Sequence, residues 1–243
     1  MFRFRSLKLK AIRPLFICLI FLFIFNLVIA TVLEEHADAL YVGAAPSGEQ
    51  KIIILDAGHG GEDCGAIGID GVLEKDLNLA ITFELGRMLG EKNFAVIYTR
   101  TEDKLLYRPD QDIKGIRKIS DLKNRCEIAK KYPEALFISI HMNKFTQEKY
   151  SGTQIYSSIN NKESRKLAET IQAEIKNTLQ PQNNRKVKDG DSIYLLKNTS
   201  NVAILIECGF LSNRDECKKL SEKEYQKQLS FSIVCGIIEY IGK

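Results

Sequence analysis

Two histidines and two glutamates in this chain have the residue types and the placing for metal chemistry. His59 follows the apolar run at 51–55, His141 follows the run at 135–140, and Glu207 follows the run at 202–206. Each run reads as a buried strand, and in open α/β sheets ligands bind at the edge formed by the carboxyl ends of the strands. The chain has three histidines and the third, His36, lies near the N-terminus, so both histidines of the body fall on that one edge. Glu74 follows His59 at a distance in sequence, and Gly58, Gly60, Gly61, Gly65 and Gly68 punctuate the stretch around and between them. Glycines allow a chain to double back, so His59 and Glu74 can converge. Two imidazoles and one carboxylate form a three-donor zinc set with a fourth position left for water, which is the arrangement of a catalytic site. Glu207 is then a general base and afterwards a general acid, because a fourth protein ligand would close the site. An ionised carboxylate behind Ala203-Ile204-Leu205-Ile206 also needs compensation for its burial, which a nearby cation supplies. Taken singly, each residue has a plainer reading. His59 is a loop histidine, Glu74 an acid favoured by the positive end of a helix, and His141 a satisfied core histidine.

The elements that would position these groups follow from hydrophobic periodicity. Strands are expected at 51–55, 94–98, 135–140 and 202–206, apolar rather than alternating, and a shorter one at 152–156. Helices are expected at 76–90, at 120–131 with Ser120 as N-cap and Leu122, Ile128 and Ala129 turned inward, at 162–179, and at 222–241. Residues 181–191 read as a polar loop. Apolar strands alternating with helices predict an α/β fold, a mainly parallel twisted sheet with helices on both faces, in a single catalytic domain over 51–243.

Of 243 residues, 44% are apolar and 27% charged, which excludes disordered and low-complexity classes. The formal charge is +4, but Arg3, Arg5, Lys8, Lys10 and Arg13 crowd the start of the chain, and without them bases and acids nearly balance. The body is near neutral and carries no nucleic-acid footprint. Behind those bases, residues 15–33 are apolar apart from Asn26 and Thr31, and Ala37-Asp38-Ala39 offers a small-residue cleavage pattern. Residues 1–39 therefore read as a signal peptide or a signal anchor, a segment that contacts the membrane during export. The protein is expected outside the cytoplasmic membrane, secreted or held by its N-terminus, and residues 40–50 read as a linker. The cysteines beyond the leader, Cys64, Cys126, Cys208, Cys217 and Cys235, are odd in number with no C-x-x-C pair, so most are expected to be small core residues.

Several segments together resemble the zinc-dependent N-acetylmuramoyl-L-alanine amidases often called amidase type 3. They are IIILDAGHGGEDCGAIG, GVLEKDLNLAITFELGRML, FAVIYTRTED, LKNRCEIA, ALFISIHMN and IYLLKNTSNVAILIECGFLSN, and they span most of residues 51–240. The resemblance implies one Zn²⁺ on His59, Glu74 and His141, with Glu207 as the catalytic glutamate. It also implies a substrate, the peptidoglycan amide between the lactyl group of N-acetylmuramic acid and L-alanine. Val202, Met142 and Lys130 depart from residues common in the family, and none is a ligand. The stretch between His141 and Glu207 is too short for the long occluding helix that some relatives carry, although a separate activating protein is compatible with the pattern. Short size, one leader and the lack of wall-binding repeats resemble the germination-specific enzymes of the spore cortex, which strip stem peptides before muramic lactam forms.

Other residues carry two readings each. Asp56 either orients a histidine or makes an ordinary turn. Arg100 and Arg125 either hold a substrate carboxylate or form structural ion pairs, and Asn143 is a candidate for positioning substrate. Cys208 beside Glu207 would suit a thiol hydrolase, but that leaves His59 and Glu74 without a role. A zinc carboxypeptidase and an inactive peptidoglycan-binding module are the competing functions. Carboxypeptidases of that kind usually keep the first histidine and the glutamate within one short H-x-x-E motif, unlike the wide gap between His59 and Glu74.

Overall fold

A computed structural model describes residues 40–42 and 50–242. The leader and the rest of the expected linker lie outside the described residues. Seven strands form one sheet: β1 (Leu40–Val42), β2 (Ile52–Ala57), β3 (Ala95–Tyr98), β4 (Leu136–Asn143), β5 (Gln154–Ser157), β6 (Lys188–Asp189) and β7 (Val202–Phe210), in the order β1-β3-β2-β4-β7-β5-β6. The four central strands β3, β2, β4 and β7 are mutually parallel. β1 joins β3 and β5 joins β7 antiparallel, while β6 lies parallel to β5. The helices are α1 (Glu74–Glu91), α2 (Arg117–Lys131), α3 (Glu163–Thr178), α4 (Tyr194–Lys197), α5 (Arg214–Ser221) and α6 (Lys223–Ile241).

Strand alternation explains why both faces need cover. Along β2, Ile53 and Leu55 enter one apolar cluster and Ile54 enters another. The first cluster gathers Ile81 and Leu85 of α1, Ile171 and Ile175 of α3, and Ile233 and Ile237 of α6. The second gathers Cys126, Ile128 and Ala129 of α2 with Leu195 and Leu196 of α4. Both faces of the central strands are thus sealed, the reason their sequences run apolar without alternation. Ile138, fully buried in β4, contributes about 1.5–3 kcal/mol from its side chain alone.

The differences from the sequence reading are local. Leu40–Val42, inside the stretch read as linker, pairs with β3. Ser120 is not an N-cap: α2 begins before it, at Arg117, and Ser120 is buried within the helix. β4 and β7 run past their apolar stretches, so His141 and Glu207 lie inside strands rather than after them. A short strand, β6, interrupts the loop expected at 181–191. α5 is a helix that periodicity did not suggest, and Asn213 caps it by accepting from the Glu216 N–H. The chain between His141 and Glu207 is taken up by β5, α3, β6, α4 and their connections. Among the described residues, no helix is long and apolar enough to cross a membrane, and Cys64, Cys126, Cys208, Cys217 and Cys235 are all free thiols.

Candidate metal centre

β2 ends at Ala57, and the chain turns at once. His59 sits at φ 62°, a left-handed conformation that costs a non-glycine residue energy. Two buried arginines hold the turn in that state. Arg125 donates to the carbonyls of Ala57 (2.7 Å) and His59 (2.8 Å), and Arg100 donates to those of Ala57 (2.9 Å) and Gly58 (3.1 Å). Beyond it, Gly60 and Asp63 exchange backbone hydrogen bonds, and Ala66 accepts from the Glu74 N–H at 3.0 Å. The Ala66 N–H in turn donates to Glu74 Oε2 at 2.7 Å. The glycine-rich loop is therefore stitched onto the first turn of α1, which brings Glu74 to the His59 ring.

His141 arrives from β4. Its Nδ1 lies 3.0 Å from Glu74 Oε1, and His59 Nε2 lies 3.2 Å from the same oxygen. The imidazoles meet edge to face with centroids 4.9 Å apart. One donor atom from each of His59, Glu74 and His141 can be chosen so that all lie within 4.8 Å of one another. Space around the three is kept open by glycine: a Cβ on Gly58 would stand 2.1 Å from the His141 ring, and one on Gly65 would stand 2.5 Å from Glu74 Oε2.

Glu207 pairs in register with His141, so both side chains share a face of the sheet. Its Oε2 is buried without a hydrogen-bond partner. Burial raises its pKa to about 7, with Glu74 adding to the rise and His141 opposing it. Glu74 behaves oppositely: burial would raise it, but hydrogen bonds from His141 and His59 hold its carboxyl well below the usual range. For His59, burial works against the charge, yet hydrogen bonds to Asp63 and Glu74 prevail and lift its pKa to about 9. A cluster of two imidazoles around one carboxylate, with a second carboxylate orphaned beside it, fits a divalent cation on the donor set that zinc prefers.

The remaining candidates resolve into distinct places. Asp56 is fully buried and binds Arg125 (2.6 Å), Thr99 (2.7 Å) and Ser139 (2.5 Å), none of them a histidine. Arg125, 1% exposed, also pairs with Asp121 at 2.8 Å, so its guanidinium is fully engaged inside the protein. Arg100 is likewise buried, donating to backbone carbonyls. Asn143 ends β4 half-buried, its carbonyl accepting from the Leu211 N–H. Cys208 belongs to the first apolar cluster, and burial pushes its thiol far up, which leaves no thiolate for nucleophilic chemistry. The residue that sequence reasoning missed is Asp63: its Oδ2 lies 2.9 Å from His59 Nδ1 and 3.1 Å from Lys118 Nζ. That bond fixes which ring nitrogen faces Glu74. Its only trace in the sequence is an acid shortly after the histidine.

Comparison with known proteins supplies the family. Residues 53–239 match the family model Amidase_3, described as N-acetylmuramoyl-L-alanine amidase. The germination-specific N-acetylmuramoyl-L-alanine amidase of Bacillus subtilis (strain 168) is 38% identical over 190 residues, covering 78% of this chain and 79% of that protein. The CwlD amidase of Clostridioides difficile, solved in complex with the GerS lipoprotein, superposes with a TM-score of 0.76 at 42% identity, covering 79% of this chain and 99% of that one. An N-acetylmuramoyl-L-alanine amidase from Clostridium difficile 630 superposes with a TM-score of 0.70 at 29% identity, covering 80% of this chain and 98% of that one. By family model, sequence and fold alike, the chain belongs to the Amidase_3 family and is an N-acetylmuramoyl-L-alanine amidase, a peptidoglycan hydrolase.

Proposed function

We propose that His59, Glu74 and His141 hold one Zn²⁺ per chain, and that Glu207 carries the proton in hydrolysis of the amide between the muramic lactyl group and L-alanine. The observation that carries this reading is the convergence of the three donor atoms within 4.8 Å, with the unpartnered Glu207 carboxylate next to them in the sheet. When bound, zinc polarises the amide carbonyl and lowers the pKa of water at its open position from about 15.7 to about 7. Glu207, buried without a hydrogen-bond partner and in register with His141, would take a proton from the attacking water and return it to the leaving amine. Asp63 keeps the His59 ring in one orientation, and the Met142 N–H, donating to Glu74 Oε1 at 3.0 Å, does the same for the carboxylate. Arg125 and Arg100 hold the turn that carries His59. Asn143, shortly beyond His141 on the same strand, would help to position substrate.

The biological setting we infer is the spore cortex, where removing stem peptides precedes muramic lactam formation and germination. Support comes from the germination-specific B. subtilis relative and from the single-domain length of the match. The C. difficile relative is bound to a lipoprotein, which supports a protein partner for this chain too. Export behind a leader at 1–39, cleaved or kept as an anchor, would put the enzyme in the wall or the forespore intermembrane space, with Leu40–Val42 of the expected linker belonging to the sheet of the catalytic domain. Product analysis tests the reading: purified peptidoglycan should yield intact stem peptides beginning at L-alanine. Release of single terminal amino acids would make the protein a carboxypeptidase, and binding without release even with its partner protein an inactive module.

A further inference from the structure

Arg185 is a strongly basic side chain near the reaction centre that the mechanism leaves without a role. Its guanidinium carbon lies 4.4 Å from the centroid of Phe210 and 6.0 Å from that of Tyr150, which fixes its plane by cation–π contact. Nε donates to the Ser151 carbonyl at 2.8 Å. Among the described residues, neither Nη has an acceptor and no carboxylate forms an ion pair with it. Burial raises the pKa of Glu216, the acid nearby, and the charge of Arg185 opposes that rise without a direct ion pair, the two Glu216 oxygens accepting instead from the N–H groups of Gly152 and Phe210, each at 2.8 Å.

Two contacts tie Arg185 to the centre. Phe210 pairs in register with Asn143, on the same strand as His141. Gln154 pairs with Glu207 across β5 and β7, and its side-chain amide donates to the carbonyl of Lys186, the residue after Arg185. A cleft of about 630 Å³ opens alongside, lined by Tyr150, Arg185 and the basic Lys149 and Lys219, with the acids Asp215 and Glu216 on its wall. None of the three metal donors lines it, so it can take the part of a substrate that extends past the reacting amide.

We propose that Arg185 is a specificity residue of this amidase, gripping a carboxylate of the acidic stem peptide so that the scissile amide lies against Glu207. The chemistry fits: a planar guanidinium held by an aromatic face offers its remaining donors in the fork that matches a carboxylate. This role rests on the activity proposed above and adds which end of the substrate is recognised and by what.

The test compares two substrates, glycan strands with free stem carboxylates and the same strands after carbodiimide amidation of those carboxylates. Wild-type enzyme should cleave the acidic strands with a kcat/KM about 10- to 100-fold higher, the scale of a lost charge-assisted hydrogen bond. Arg185→Gln should lose that preference, through KM with kcat nearly kept, and Arg185→Lys should restore part of it. Equal cleavage of both strands by wild type, or a preference retained in Arg185→Gln, overturns the inference while the amidase reading stands. Release of peptide from neither strand by wild type overturns both. The wild-type comparison needs no variant, so a folding defect in Arg185→Gln cannot mask the outcome.

Discussion

Two carboxylates in the site are treated by the fold in opposite ways. Glu74 is pulled down by two imidazoles, and Glu207 is pushed up by burial to about 7. A raised folded-state pKa means the folded protein binds that proton more tightly than the unfolded chain does. Its stabilisation is complete below the ordinary value of 4.5 and is lost as pH climbs to about 7. The loss amounts to about 3 kcal/mol for a shift of this size. His59, raised from 6.5 to about 9, adds a loss of the same sign between those two values. Metal-free protein should therefore weaken steadily from pH 5 to 9 in urea unfolding, and Glu207→Gln should flatten the lower half of that slope and leave the upper half. Asp63 gives a second expectation for a single side chain. Asp63→Asn keeps the size of the side chain but removes the charge that orients His59, and zinc affinity should fall by about 10- to 100-fold in a competition titration.

Strands, helices and loops decide whether those residues can meet. Gly58 follows β2 at the point where the His141 ring passes, and a methyl group there would stand 2.1 Å from Nε2. Gly58→Ala should displace His141 and abolish metal binding while circular dichroism stays near wild type, since the change lies after the strand. The central strands and the long helices were legible in sequence because each buries a face, and burial writes a period into the residues. The ends of β4 and β7 were not, because His141 and Glu207 interrupt the apolar runs before Met142, Cys208 and Phe210 resume them, and the pairing of the two strands shifts register there. β1 escaped notice as a short strand at an edge, and α5 because it is mostly polar and rests on a cap. The cluster of His59, Glu74 and His141 was legible in residue type, with the two histidines on one sheet edge and Glu74 at the entry to a helix. Asp63 was not, since its approach to His59 depends on a loop whose φ angles turn positive at His59, Gly60 and Gly61. The roles of Asp56 and Arg125 were half legible. Asp121 and Arg125 lie one helical turn apart, a pairing visible in advance, whereas the bond from Arg125 to Asp56 joins distant parts of the chain and needs the fold.

Over the whole molecule, a sheet sealed by two apolar clusters forms a rigid frame, and the chemistry sits where its strands run out. Holding His59 in a left-handed turn and leaving the Glu207 carboxylate unpaired both cost stability, which the sealed core offsets. A cation bound only by the folded state returns some of it, so melting temperature should rise with metal concentration. In the proposed mechanism labour is divided within the site: three side chains would hold the ion, and a fourth would move the proton. Zinc content per purified chain, measured by mass spectrometry for wild type and for His59→Ala, Glu74→Ala, His141→Ala and Glu207→Ala, decides whether that division is real. About one zinc is expected in wild type and in Glu207→Ala, next to none in the other three, and stem-peptide release by wild type alone. Equal zinc loss in all four variants, or a full complement in Glu74→Ala, would refute it.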